Sequence, residues 1–169
     1  LVIDINHTIR EIVMPIIKAI LASLLTLTVT SSVTFGSELL RTPATIVGDN
    51  YGFTEGPVWV KDKRIWLFTD IPMNKIYSLD SNGNVNVWLE DSGYANGLNI
   101  DKDNNIWIAH HCRKVSKTTP KGKNYIVAST YNGKKLNSPN DIAIRKDGST
   151  WFTDPMYGIT LKGFGCEVA

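Results

Sequence analysis

The chain has 169 residues, 43% of them hydrophobic and 20% charged, a balance that fits a folded domain and excludes a disordered one. Its 18 basic and 16 acidic residues give a net charge of +2 and are spread along the sequence, so no nucleic acid partner is expected. Two cysteines, Cys112 and Cys166, form no CxxC pair and hence no zinc motif. They are expected as unpaired thiols, although an oxidising compartment would allow a bridge between them.

In chain order, residues 14–36 come first, reading MPIIKAILASLLTLTVTSSVTFG. Lys18 supplies a positive start, Ala19 to Val29 an uncharged core of eleven residues, and small polar residues follow. This is the layout of a secretory signal peptide. The core is too short to cross a bilayer, which takes roughly 20 apolar residues. Export to the periplasm or the exterior is therefore expected, with no stable membrane span after cleavage; the competing reading is an uncleaved anchor or a buried helix. Because a signal starts near a methionine, residues 1–13 read as upstream read-through. The folded part is then expected over 37–169.

Three segments of that part line up. EGPVWVKDKRIWLFTD starts at Glu55, NGLNIDKDNNIWIAHH at Asn96 and NDIAIRKDGSTWFTDP at Asn140. The starts are 41 and 44 residues apart, and so are Trp66, Trp107 and Trp151. Each unit opens with a short apolar strand (Val58 to Val60, Leu98 to Ile100). A polar turn follows at Lys61-Asp62-Lys63, at Asp101 to Asn105, or at Lys146-Asp147-Gly148. Then comes a strand rich in Trp, Ile and Phe, as β propensity favours. Asn- and Asp-Gly-containing turns suit the positive φ of tight hairpins. In the first two units a second hairpin follows. Ile76 to Leu79 turns at Asn82-Gly83 into Val85 to Trp88, and Val115 to Lys117 turns at Lys121-Gly122 into Tyr125 to Ala128. The basic stretch Arg113, Lys114, Lys117, Lys121 and Lys123 falls on that hairpin and reads as a solvated face.

Four short strands per roughly 42 residues, without helical periodicity, is the pattern of a propeller blade. The expected fold is all-β: a β-propeller fragment of about three blades behind an N-terminal apolar segment. The recurrent tryptophans, with Trp59, are expected between blades. The first strand of each blade lines a propeller's channel, so Glu55, Asn96 and Asn140 should converge on its axis. A carboxylate and two amides suit a hard divalent cation, or else cap neighbouring loops. One carboxylate leaves such a cation partly uncompensated, so a further acidic ligand is expected from blades outside this chain. His110 and His111 end the second strand of the second unit, near the pocket mouth, where a histidine can exchange protons.

TEGPVW (Thr54 to Trp59), FTDIPMNKIY (Phe68 to Tyr77), YANGLNID (Tyr94 to Asp101) and GKKLNSPNDIAIRKDGSTWFTDPMYGI (Gly133 to Ile159) occur in that order. Together they resemble the gluconolactonase family, within the senescence marker protein, gluconolactonase and luciferin-regenerating enzyme superfamily. The resemblance implies a six-bladed propeller with one axial divalent metal, usually Ca²⁺, with Zn²⁺, Mg²⁺ or Mn²⁺ as alternatives. It implies Glu55 and Asn140 as metal ligands, Asn140 and Asp141 as catalytic, and Asn96, His110 and His111 as substrate-binding. The implied reaction is hydrolysis of a sugar lactone, with the metal as Lewis acid and Asn140 steadying the developing oxyanion. With the family's remaining ligands outside this chain, the fragment alone is expected to be inactive and poorly soluble. Competing readings are a phosphotriesterase or strictosidine synthase-like propeller, and a non-catalytic binding module. There is no Gly-x-Ser-x-Gly elbow to suggest a serine nucleophile.

Overall fold

A computed structural model describes residues 44–160. The expected signal segment at 14–36, the extension at 1–13 and residues 161–169 lie outside the described residues. Strands β1 (Thr54–Val60), β2 (Ile65–Asp70), β3 (Lys75–Asp80) and β4 (Val85–Leu89) form an antiparallel sheet in chain order. Strands β5 (Ala95–Ile100), β6 (Ile106–His110), β7 (Lys114–Thr118) and β8 (Asn124–Ala128) form a second sheet of the same kind. A third hairpin pairs β11 (Ile142–Ile144) with β12 (Thr150–Phe152), and a single helical turn, α1, follows at Tyr157–Thr160. The fold is the expected all-β propeller fragment, with two four-stranded blades and a two-stranded third.

The turns close as their residues dictate. Gly83, Gly122 and Gly148 take positive φ at three of the predicted turns. Aspartates tie the loops down. Asp80 accepts hydrogen bonds from the Asn84 side-chain amide and from the backbones of Asn84 and Asn82, and Asp147 from the hydroxyl and backbone of Ser149. These bonds hold both carboxyls below the usual carboxylate range. At Asp101 burial pushes the carboxyl up. Hydrogen bonds from Trp107, Asn105 and Asp103 outweigh that and hold it low.

Between the first two blades lies the main core. Val60, Leu67 and Ile76 meet Ala95, Leu98, Ile106 and Ile108, all buried. A smaller cluster of Ala109, Val115 and Ile142, with Trp107 and Phe152 against it, joins the second blade to the third. Alternation along β2 and β6 sends every second residue into these layers.

The tryptophans divide. Trp107 packs between blades as expected, with its Nε1 donating to Asp101 at 2.8 Å. Trp59 and Trp66 pack against each other with tilted rings 5.5 Å apart, both exposed, and Trp151 is 64% exposed. The cause is register. In β1–β2 Trp66 faces Trp59, whereas in β5–β6 Trp107 faces Asn99. The β1–β2 turn takes residues 61–64 and the β5–β6 turn residues 101–105. That single extra residue shifts the pairing by one and moves the tryptophan to the other face of its sheet.

Two further features depart from the sequence reading. A small hairpin, β9 (Thr130–Tyr131) with β10 (Lys134–Lys135), sits in the connection from the second blade to the third. Cys112 is disulfide-bonded, which corrects the expectation of unpaired thiols. No helix among the described residues is long and apolar enough to cross a membrane.

Candidate functional site

Each complete blade opens with a residue pair ending in glycine: Glu55-Gly56 and Asn96-Gly97. The third carries Asn140-Asp141 at the equivalent place. The register of β1 shifts between Glu55 and Val58, and that of β5 between Ala95 and Leu98, so each pair sits on a bulge. Bulging brings the first strands unusually close. The Gly97 N–H donates to the Asn140 carbonyl at 2.7 Å. A Cβ on Gly56 would stand 2.3 Å from the Asn96 carbonyl oxygen, and one on Gly97 2.6 Å from that of Asn140. Only glycine admits this approach.

The result is a cavity of about 220 Å³ lined by Glu55, Asn96, Asn140 and Asp141 together with Gly56, Pro57, Gly97 and Leu98. Three blades thus bring the predicted axial residues to one place. Asn140 is fixed by its main chain, whose N–H donates to the Thr153 carbonyl at 2.9 Å. Asp141 accepts the Ile142 N–H on Oδ1 at 2.8 Å, leaving Oδ2. Asn96 is 3% exposed. Its main-chain carbonyl accepts from the Thr69 hydroxyl at 3.0 Å, and its side-chain NH₂ lies 2.8 Å from Nε2 of His111. Among the described residues nothing hydrogen-bonds the Glu55 carboxylate or the Asn140 amide.

The two histidines stand apart. His111 sits behind Asn96, 4% exposed, and burial pushes its pKa down. His110 is 2% exposed and does not line the cavity. Its Nδ1 donates to the Ser92 carbonyl and its Nε2 accepts from the Ser116 hydroxyl, each at 2.7 Å. Burial, then the charge of Lys114, push its pKa down to about 4. Ser92 in turn holds the Ala95 N–H and reaches Asn74, so His110 anchors the crossover into β5. The glycine contacts and the histidine behind Asn96 were not read from the sequence. The glycines carried a signal, since Gly56 and Gly97 recur at the same repeat position.

As a metal centre the cavity offers two carboxylates and two amides, all hard oxygen donors, which suit an alkaline-earth ion and balance its charge. No cluster of three His, Cys, Asp or Glu side chains occurs among the described residues.

Known proteins resemble this chain over most of its length. A gluconolactonase from Zymomonas mobilis subsp. mobilis is 34% identical over 136 residues, which are 72% of this chain and 38% of that protein. The structure of a gluconolactonase from Xanthomonas campestris, important in glucose secondary metabolic pathways, superposes with a TM-score of 0.68 at 29% identity, covering 73% of this chain and 42% of that one. A streptogramin B lyase, at 24% identity and a TM-score of 0.50, covers 60% of this chain and 34% of its own and shares the fold alone. The chain therefore spans about two-fifths of the length of the gluconolactonases it matches. Residues 53–163 match the model of the SMP-30/Gluconolactonase/LRE-like region, a stretch that holds all three blade openings and the cavity between them, and on this ground the chain belongs to that family.

Proposed function

We propose that this chain carries part of the catalytic centre of a divalent-metal-dependent sugar lactone hydrolase. The convergence of Glu55, Asn96, Asn140 and Asp141 on one cavity at the junction of three blades carries the reading. Glu55 and Asn140 would hold the ion, Ca²⁺ by the hardness of the donors. Bound there, it supplies Lewis acidity toward an ester carbonyl. The Asn140 amide would donate to the developing oxyanion, and Oδ2 of Asp141 would orient a hydroxyl of a polyol substrate. The chain spans about two-fifths of the length of the gluconolactonases it matches, so the 169-residue chain by itself is expected to turn over no lactone. Export fits the same reading. The signal-like residues 14–36 and the disulfide at Cys112 both belong to an oxidising compartment.

The test is a chimera in which the aligned part of the Zymomonas mobilis gluconolactonase is replaced by residues 53–163 of this chain. Gluconolactone hydrolysis that is abolished by chelator and restored by Ca²⁺ is expected. A folded chimera that is inactive, or active without metal, would refute the reading.

A further inference from the structure

A side-chain amide shows a cavity either an oxygen or an NH₂ group, and the two have opposite chemistry. At Asn96 the choice is made by the residue behind it. The Asn96 Nδ2 lies 2.8 Å from His111 Nε2, with both residues almost fully buried. An amide nitrogen can only donate, so Nε2 is the acceptor and the ring proton sits on Nδ1. Were Nε2 protonated, the amide would have to turn over and offer its NH₂ to the cavity. His111 is closely packed at its base. Gly158 of α1 lies so close that a Cβ there would stand 2.7 Å from His111 Cβ, and the His111 N–H is tied to the Tyr94 carbonyl at 2.9 Å.

We infer that His111 is a positioning residue: its Nε2 takes up the Asn96 NH₂ and so turns the Asn96 carbonyl oxygen toward the cavity, making Asn96 a third oxygen donor beside Glu55 and Asn140. This rests on the metal-site reading and assigns Asn96 a role toward the cation as well as toward substrate. Residues that orient ligands in this way typically set affinity by about 10–100-fold.

Two measurements on the 169-residue chain test it. Long-range ¹⁵N–¹H correlation of the ¹⁵N-histidine-labelled protein reads the tautomer directly, with the His111 signals identified by their loss in His111→Gln. The Nδ1–H form is expected, and an Nε2–H form would overturn the inference whether or not metal binds. Terbium luminescence, sensitised by the protein's tryptophans, then reads the site. His111→Leu should weaken Tb³⁺ binding at least tenfold. His111→Gln, whose side-chain oxygen can accept the same NH₂, should stay within about threefold of wild type. Thermal unfolding checks that both variants fold. Equal binding by wild type and His111→Leu, with Glu55→Gln weakened, would refute the positioning role. Equal binding by wild type and Glu55→Gln would instead refute the metal site, and the tautomer would then decide for or against His111.

Discussion

Adjacent histidines end up with unrelated work. His110, the last residue of β6, is clamped between Ser92 and Ser116, while His111, one residue on, reaches Asn96. Sequence placed both near the pocket and could not separate them, because neighbouring side chains at a strand end point to opposite sides and only the packed sheet says which side is which. The His110 clamp has a pH signature. Its folded pKa of about 4 lies below the ordinary 6.5, so the unfolded chain binds the extra proton between those values. Its contribution is fully present above pH 6.5 and is lost as the pH falls toward 4, a loss on the order of 3 kcal/mol. The melting temperature should drop over that window. In His110→Gln the drop should be shallower, and an identical pH slope would contradict the assignment. Glu55 and Asn140, by contrast, were legible from the repeat, because a position repeated at the start of successive blades has few places to go except the axis.

At the level of elements, the strands and three of the turns followed from alternation and from the glycines of Asn82-Gly83, Lys121-Gly122 and Asp147-Gly148. Two features did not. The β9–β10 hairpin turns at Asn132-Gly133, with φ of 49° and 75°, the dipeptide that favours a two-residue hairpin loop; the signal was present but fell between repeats. The one-residue slip that separates Trp66 from Trp107 was invisible, because turns of four and five residues align without a gap in the sequence. What locks the first strands together is the glycine approach. Gly97→Ala would drive a methyl against the Asn140 carbonyl and the Asp141 Cα, 2.6 and 2.7 Å away. A destabilisation of about 1–3 kcal/mol is expected, together with weakened cation binding. Chemical denaturation showing no loss would mean that the strands part easily, and that the cavity is less rigid than its contacts imply.

Across the described blades, apolar surface stays open. Ile126 is 64% exposed and Val127 48% on β8, an edge strand, and Trp66 lines a second cavity of about 530 Å³ with Tyr51, Phe68 and Leu79. Unpaired edges and faces of this kind associate. The chain is expected to self-associate at micromolar concentration, and Ile126→Lys with Val127→Lys should raise its monomer fraction in sedimentation. A wild-type chain that stays monomeric would show that these surfaces are protected. The account depends most on the axial cavity binding a cation through Glu55, so calorimetric titration of Ca²⁺ into the 169-residue chain is the most direct test. One weak site is predicted, with a Kd of roughly 10⁻⁴–10⁻³ M, lost or weakened at least tenfold in Glu55→Gln; no binding, or binding that Glu55→Gln leaves unchanged, would contradict it.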